Sequence, residues 1–499
     1  MHKHLGFWTG CFLILLAANP LCGQVAPDTL VLARNLKAQG KLRYASNLLH
    51  TWCATHPSQA DALWLYAQTE FWRKNFSRSR HLYRQAIALQ PENLYLRLDY
   101  ADALLSMGRF AQADALLRGL KRTERQDPYA KYLEAKRLFW SGDLGRARKI
   151  ARDAEKAGAK DAPALLRDID LAHSPWMRLA GNYTSDTQPL ESVEPMWESG
   201  IFYSKWADVR LRAAPRRFWT NDLSTSATTV EMSNTFRIPK TGTALGVRGG
   251  LFQLKNQPVN WTGGLDIAQR LSPSLQVQVE AAQKPYLYTL ASVDTNLVFR
   301  QLAGSVEWRE PHGFWAKTGI QADVFDDDNQ VTTLWAWALS PPAKWGGLSL
   351  RVGYAYSWAD ARASRFVSEK TIPELLNPWM PDVPIRGVFA PYFTPHHMTT
   401  HAAIATFDWR LSRHISLIAN GKYGFAATAD NPYLYLNTDA TGTLFFQTGF
   451  QKTNFTPFEA GGKVLARLSD RLSIEGYYSF ARIFFYDIAA AGGSIKFIF

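Results

Sequence analysis

Cysteine is nearly absent from this chain. Of three, Cys11 and Cys22 fall within the first two dozen residues, which leaves Cys53 alone. One thiol cannot close an internal disulfide, so the fold rests on packing. Also missing is any apolar run of the roughly 20 residues that a membrane-crossing helix needs. The run Phe12-Leu13-Ile14-Leu15-Leu16-Ala17-Ala18 is too short for that. It follows the basic start His2-Lys3-His4 and precedes Asn19-Pro20 and the small residue Gly23, which together read as a secretory signal peptide over residues 1–23. Leu21 stands where a lipidated Cys22 would want a small residue.

Acidic residues are scarce in the front of the chain. Residues 26–175 carry 25 Lys and Arg against 16 Asp and Glu, whereas residues 176–499 carry 30 against 27. Most of the net charge of +13 therefore belongs to the front segment. Such a surface suits anionic partners or the anionic face of a membrane. An exported chain has no nucleic acid to meet, so that partner class is set aside.

What is present in front is a repeat. A period of 34 residues fits four units that start at Ala26, Ala60, Leu94 and Pro128. The eighth position holds Ala33, Ala67, Ala101 and Ala135; the twentieth holds Ala45, Ser79, Ala113 and Ala147. Gly40, Lys74, Gly108 and Gly142 occupy the fifteenth, followed two places on by Leu42, Phe76, Phe110 and Leu144. Small residues let two antiparallel helices approach, and the glycine ends the first helix in a left-handed turn. This is the pattern of a tetratricopeptide repeat, so residues 24–175 are expected to form a helical docking domain. Arg34, Arg73, Arg78, Arg80, Arg84 and Arg97 are candidates to line its groove.

After Pro175 the hydrophobic period becomes two. Leu275, Val277 and Val279 alternate with Gln276, Gln278 and Glu280; Phe407, Trp409 and Leu411 flank Asp408 and Arg410. Trp308, Trp315, Trp335, Trp337, Trp345, Trp358 and Trp409 sit in or at the ends of expected strands, where the interfacial girdles of a membrane barrel would put them. Three short connections share one pattern: Arg270-Leu271-Ser272, Arg410-Leu411-Ser412 and Arg467-Leu468-Ser469. Long segments near residues 361–398 and 428–454 read as loops. Strands counted back from Phe499 number about 16, which puts all three Arg-Leu-Ser turns on the side of the C-terminus. The reading is an α+β multidomain chain, with helical repeats followed by an antiparallel transmembrane β-barrel over residues 176–499. The inward face of that barrel should carry Arg210, Arg212, Glu280, Arg351, Asp408, Arg410 and Glu475.

Repeats that feed a C-terminal barrel resemble the outer-membrane subunits of bacterial exopolysaccharide export, of the cellulose synthase operon C and poly-N-acetylglucosamine porin types. They equally resemble the shorter YaiO-type barrels. The segment Tyr392-Phe393-Thr394-Pro395 resembles the Tyr-Phe-Ser-Pro stretch of the cellulose-type barrels, with Thr394 for the serine and His396 for a glutamine. The resemblance implies an outer-membrane conduit for a polysaccharide, surrounded by lipid, with its repeats in the periplasm docking a protein partner. The alternative is a scaffold anchored by a barrel that does not conduct.

No enzyme motif stands out, and neither a cofactor nor a metal is expected. His312, His396, His397, His401 and His414 lie in no local pattern that pairs a base with a Ser or Thr nucleophile. His397 and His401 have metal-like spacing only on a helix. Asp326-Asp327-Asp328-Asn329 reads as a solvated turn rather than a calcium site.

Overall fold

The computed structural model describes residues 29–204, 206–238, 241–272, 274–310, 313–376 and 385–499. The signal-peptide expectation for residues 1–23 and His312 lie outside them. By contact density the chain divides into residues 1–107 and 108–499, a boundary inside the third repeat.

The first unit holds α1 (Thr29–Ala38), α2 (Leu42–Thr55), α3 (Ala60–Trp72), α4 (Phe76–Leu89) and α5 (Leu94–Ser106). Its register is that of the 34-residue repeat. Ala33, Ala45, Ala67, Ser79 and Ala101 are wholly buried, so the helix pairs meet at their small residues. Gly40 and Lys74 both take the left-handed turn between paired helices, with φ of 74° and 65°. One buried charge is fully dressed: Glu70 accepts from Ser46 at 2.6 Å, Arg73 at 2.6 Å and Asn75 at 2.8 Å. Burial alone would raise its carboxyl, but these bonds hold it below the usual range. Asp99 gathers Trp64, Gln68 and Tyr83 on one oxygen at 2.6–2.8 Å, which ties α3 and α4 to α5.

The second unit opens with α6 (Phe110–Arg118), α7 (Pro128–Trp140), α8 (Leu144–Lys156) and α9 (Ala162–His173). Asp127 caps α7 by accepting from the Tyr129 and Ala130 amides, with Pro128 at the first helical position. The 34-residue register stops at residue 161 and does not foresee α9. That helix covers α8 with Leu165, Leu166 and Ile169, as a terminal capping element must.

From Trp176 onward the unit is a closed antiparallel barrel of 16 strands. The first strand, Trp176–Asp186, pairs with the last, Asp487–Ile498, which closes the barrel. Every other side chain is apolar and exposed: Leu179, Leu211, Val230, Leu265, Val279, Ile320, Val352 and Ile495 are each at least 40% accessible. In water such a belt would be a large exposed apolar surface; in a bilayer it is the expected outer face. No described helix is long and apolar enough to cross a membrane.

The Arg-Leu-Ser turns are explained by their serines. Ser412 Oγ accepts from the amides of His414 and Ile415, and Ser469 Oγ from those of Arg471 and Leu472, all at 3.0–3.2 Å. These turns share one end of the barrel with the C-terminus, where the Ile498 amide reaches Arg471. At the other end, residues 428–454 are not a loop. Ala427–Thr438 pairs with Leu444–Phe455 as a hairpin that prolongs Ile415–Thr438 beyond its neighbour Phe458–Arg467. Alternating Tyr433, Tyr435, Phe445 and Phe450 have the composition of a strand, which the length of the segment obscured.

Candidate functional site

The inward face of the barrel is polar and cross-linked. Glu194 takes Arg212 at 3.2 Å and Arg216 at 3.8 Å, while the buried Asp208 holds Arg210 at 3.2 Å and also Arg237. Glu280 pairs with Lys284 at 2.7 Å and with Arg248, reaching across an intervening strand. Glu475 faces Lys463 at 3.7 Å. Arg351 donates to the carbonyls of Gly313 and Ser340, both at 2.9 Å. Asp408 and Arg410 line a cavity of about 360 Å³ beside Ser412, His414 and Arg467 at the turn end. All seven charged candidates thus lie on the face opposite the apolar belt. Four are in ion pairs, one is bonded to carbonyls, and Asp408 and Arg410 form no ion pair among the described residues.

The tryptophans correct the girdle expectation. Trp308, Trp358 and Trp409 share the outward register with the apolar belt, and Trp345 is exposed in the short Ala343–Trp345 strand at the turn end. Trp315, Trp335 and Trp337 point inward. Leu334 pairs with the outward Ile320, so its neighbour Trp335 must face the lumen opposite Gly319. An apolar run such as Leu334-Trp335-Ala336-Trp337-Ala338-Leu339 gives no alternation from which to choose a face.

Away from the C-terminal end, two loops fold into the barrel mouth. Residues 286–297 bury Val293 against inward Phe218, Phe252 and Leu254. Residues 385–397 bring Tyr392 onto Phe325, their rings parallel with centroids 3.5 Å apart. Tyr392 donates its hydroxyl to both oxygens of Asp327 at 2.7 and 2.8 Å, and Arg365 reaches the same carboxylate at 2.6 Å. Thr394 accepts from the Arg365 amide at 2.9 Å, and Phe393 stacks on Phe485. The loops also grip each other. Thr289 donates to the Pro391 carbonyl at 2.5 Å, and the Phe393 amide donates to the Tyr286 hydroxyl at 3.1 Å. The stretch Tyr392-Phe393-Thr394-Pro395 is the limb that closes this plug.

The contacts at Asp327 favour its ionised carboxylate. Burial would raise the Asp327 carboxyl, yet the bonds from Tyr392 and Arg365 hold it below its ordinary value. The Tyr392 phenol is pushed up to about 12 by burial and by its carboxylate partner. Asp327 is exposed to solvent and bonded to Tyr392 and Arg365 at once. The histidines scatter. His397 pairs with Asp430 at 2.8 Å, His401 meets Tyr354 on the outward face, and His414 caps the Arg467 carbonyl. His396 packs on Phe450, its ring nitrogen made less basic by burial.

These features define a class: a 16-strand barrel of the outer-membrane type, preceded by tetratricopeptide repeats. A tetratricopeptide-repeat family model matches residues 73–137. No curated protein matches the chain. Among solved structures, a bacterial polysaccharide outer membrane secretin is similar at 9% identity. The match covers 66% of this chain and 99% of that one, with a TM-score of 0.47. OccK1 (OpdK) of Pseudomonas aeruginosa is similar at 11% identity over 65% and 97% of the two chains, with a TM-score of 0.33. The repeats are similar to a thermophilic tetratricopeptide protein of Thermus thermophilus, at 16% identity over 29% of this chain and 81% of that one, with a TM-score of 0.27.

Proposed function

We propose that this protein is an outer-membrane conduit for an exported polysaccharide, held shut at its outer mouth by the two interlocked loops. The turn end with the C-terminus faces the periplasm. The helical region, which precedes the first strand in the chain and joins it through Ser174 and Pro175, belongs to the periplasm and docks a protein there. The whole chain acts without enzyme chemistry of its own.

The observation that carries this reading is the closure. An anchor needs only a filled interior, and salt-bridged side chains would fill one. Here the lumen keeps cavities of about 300–410 Å³, and its mouth is stopped by loops that rest on apolar clusters and are tied by polar bonds. The stopper is seated on apolar clusters and fastened by the Asp327 carboxylate, the Tyr392 phenol and the Arg365 guanidinium, and that polar fastening is the part substitution can release. The test is single-channel recording in planar bilayers. The parent should be closed most of the time, and Asp327→Ala with Tyr392→Phe should raise its open probability at least several-fold. If neither protein conducts, the scaffold reading replaces the conduit.

A further inference from the structure

We propose that the inner wall at Trp335 and Trp337 is a stacking site for the pyranose rings of a saccharide chain. The inference deepens the conduit reading and rests on it, since only a conduit brings a polymer to this wall.

Trp335 and Trp337 stand two residues apart on one strand, so their rings follow each other by about 7 Å along the barrel. Trp337 meets Trp315 edge to face, with centroids 5.1 Å apart. Trp335 lies flat on the wall because its neighbour is Gly319. A Cβ there would come within 2.5 Å of the ring. Arg309 covers Trp315 at 4.5 Å and is thus already its partner, whereas the Lys317 ammonium stands 5.6 Å over Trp335. These rings border a cavity of about 410 Å³, whose other inward lining includes Ser357, Thr406, Asn420 and the Lys422–Glu459 pair at 2.7 Å.

Large aromatic faces inside a wet lumen are unfavourable unless something covers them. The cavity is two-sided, with aromatic rings on one wall and donors and acceptors on the other. A purely apolar ligand would leave Ser357, Thr406 and Asn420 facing it without partners, an anion would gain nothing from the indole faces, and cations already stand over Trp315 and Trp335 as Arg309 and Lys317. A pyranose chair fits both, since its C–H faces are apolar and its hydroxyls lie around the rim. The wall is also continuous. Beyond Trp335 the same strand face carries Thr333 and Val331, and Val331 joins Phe325 and Tyr392 in the plug cluster. The tryptophan pair thus shares one strand face with the latch, separated from it by Thr333 and Val331.

The experiment is calorimetric titration of the full-length protein in detergent with cellohexaose and with N-acetylchitohexaose. At least one should bind the parent. Trp335→Ala with Trp337→Ala should weaken that binding about tenfold or more, as expected for two lost aromatic contacts. The outward Trp308→Ala should leave it unchanged. Asn420→Leu, on the polar wall, should weaken it in a barrel whose tryptophans are intact. Absence of binding by both hexaoses to the parent, or equal binding by the parent and the double variant, overturns the site. Channel recording separates the two readings. Conductance without saccharide binding removes this site and keeps the conduit, while binding without conductance does the reverse.

Discussion

At the scale of single residues, two positions show local chemistry set against the fold. Lys74 occupies the turn that Gly40, Gly108 and Gly142 fill in the other repeats, with φ of 65°. A side chain in that conformation costs about 1–2 kcal/mol, partly offset because glycine loses more entropy on folding. Lys74→Gly should stabilise the helical region by about 0.5–1 kcal/mol, measured as a rise in its thermal midpoint; a fall would mean that the lysine side chain contributes there. Asp327 gives the second case. A carboxyl held below its ordinary value contributes stability above that value and loses it as pH falls. Tyr392, raised to about 12, keeps its contribution until the pH climbs past the ordinary phenol range. Open probability in bilayers should therefore stay low at neutral pH and rise below about pH 4. With Asp327→Asn the acid response should vanish.

At the scale of elements, the alternation of period two made most strands legible, because one face meets lipid and the other does not. It placed Arg210, Arg212, Glu280, Arg351, Asp408, Arg410 and Glu475 opposite the apolar belt. It was silent wherever both faces of a strand are apolar. Trp335 and Trp337 were misplaced for that reason, and only their pairing with the strand Trp315–Phe325 decides their side. The plug was equally hidden. Tyr392 and Asp327 lie 65 residues apart, and a loop that folds inward carries no periodicity. The motif Tyr392-Phe393-Thr394-Pro395 marked the place but not the contact. The helical region was readable almost to its end, since small residues at fixed positions are local signals; α9 escaped because a capping helix departs from the repeat. The strand Met398–Arg410 offers a direct check of register. Trp409→Arg, on the lipid side, should impair insertion, because a buried charge there costs roughly 2–4 kcal/mol at mid-bilayer and less near the edge. Asp408→Ala with Arg410→Ala should insert normally and alter ion selectivity. The opposite pattern in a membrane-fractionation assay would shift the strand by one residue.

At the scale of the whole molecule, the sheet closes on itself through the pairing of Trp176–Asp186 with Asp487–Ile498. Such barrels resist detergent until heated. The unheated protein should migrate faster in gel electrophoresis than the boiled one and should sediment with outer membranes. Recovery of the mature chain in the soluble periplasmic fraction would contradict both the barrel and the conduit. The plug has a consequence of its own at this scale. Its two loops come from separate stretches of chain and are fastened to one another by Thr289 with Pro391 and by Tyr286 with Phe393. If the plug opens as proposed and these fastenings hold, the two loops move as one body and the mouth has two settings. Current through a single molecule should jump between two levels, and a growing polymer pressing from within would meet a threshold rather than a yielding spring.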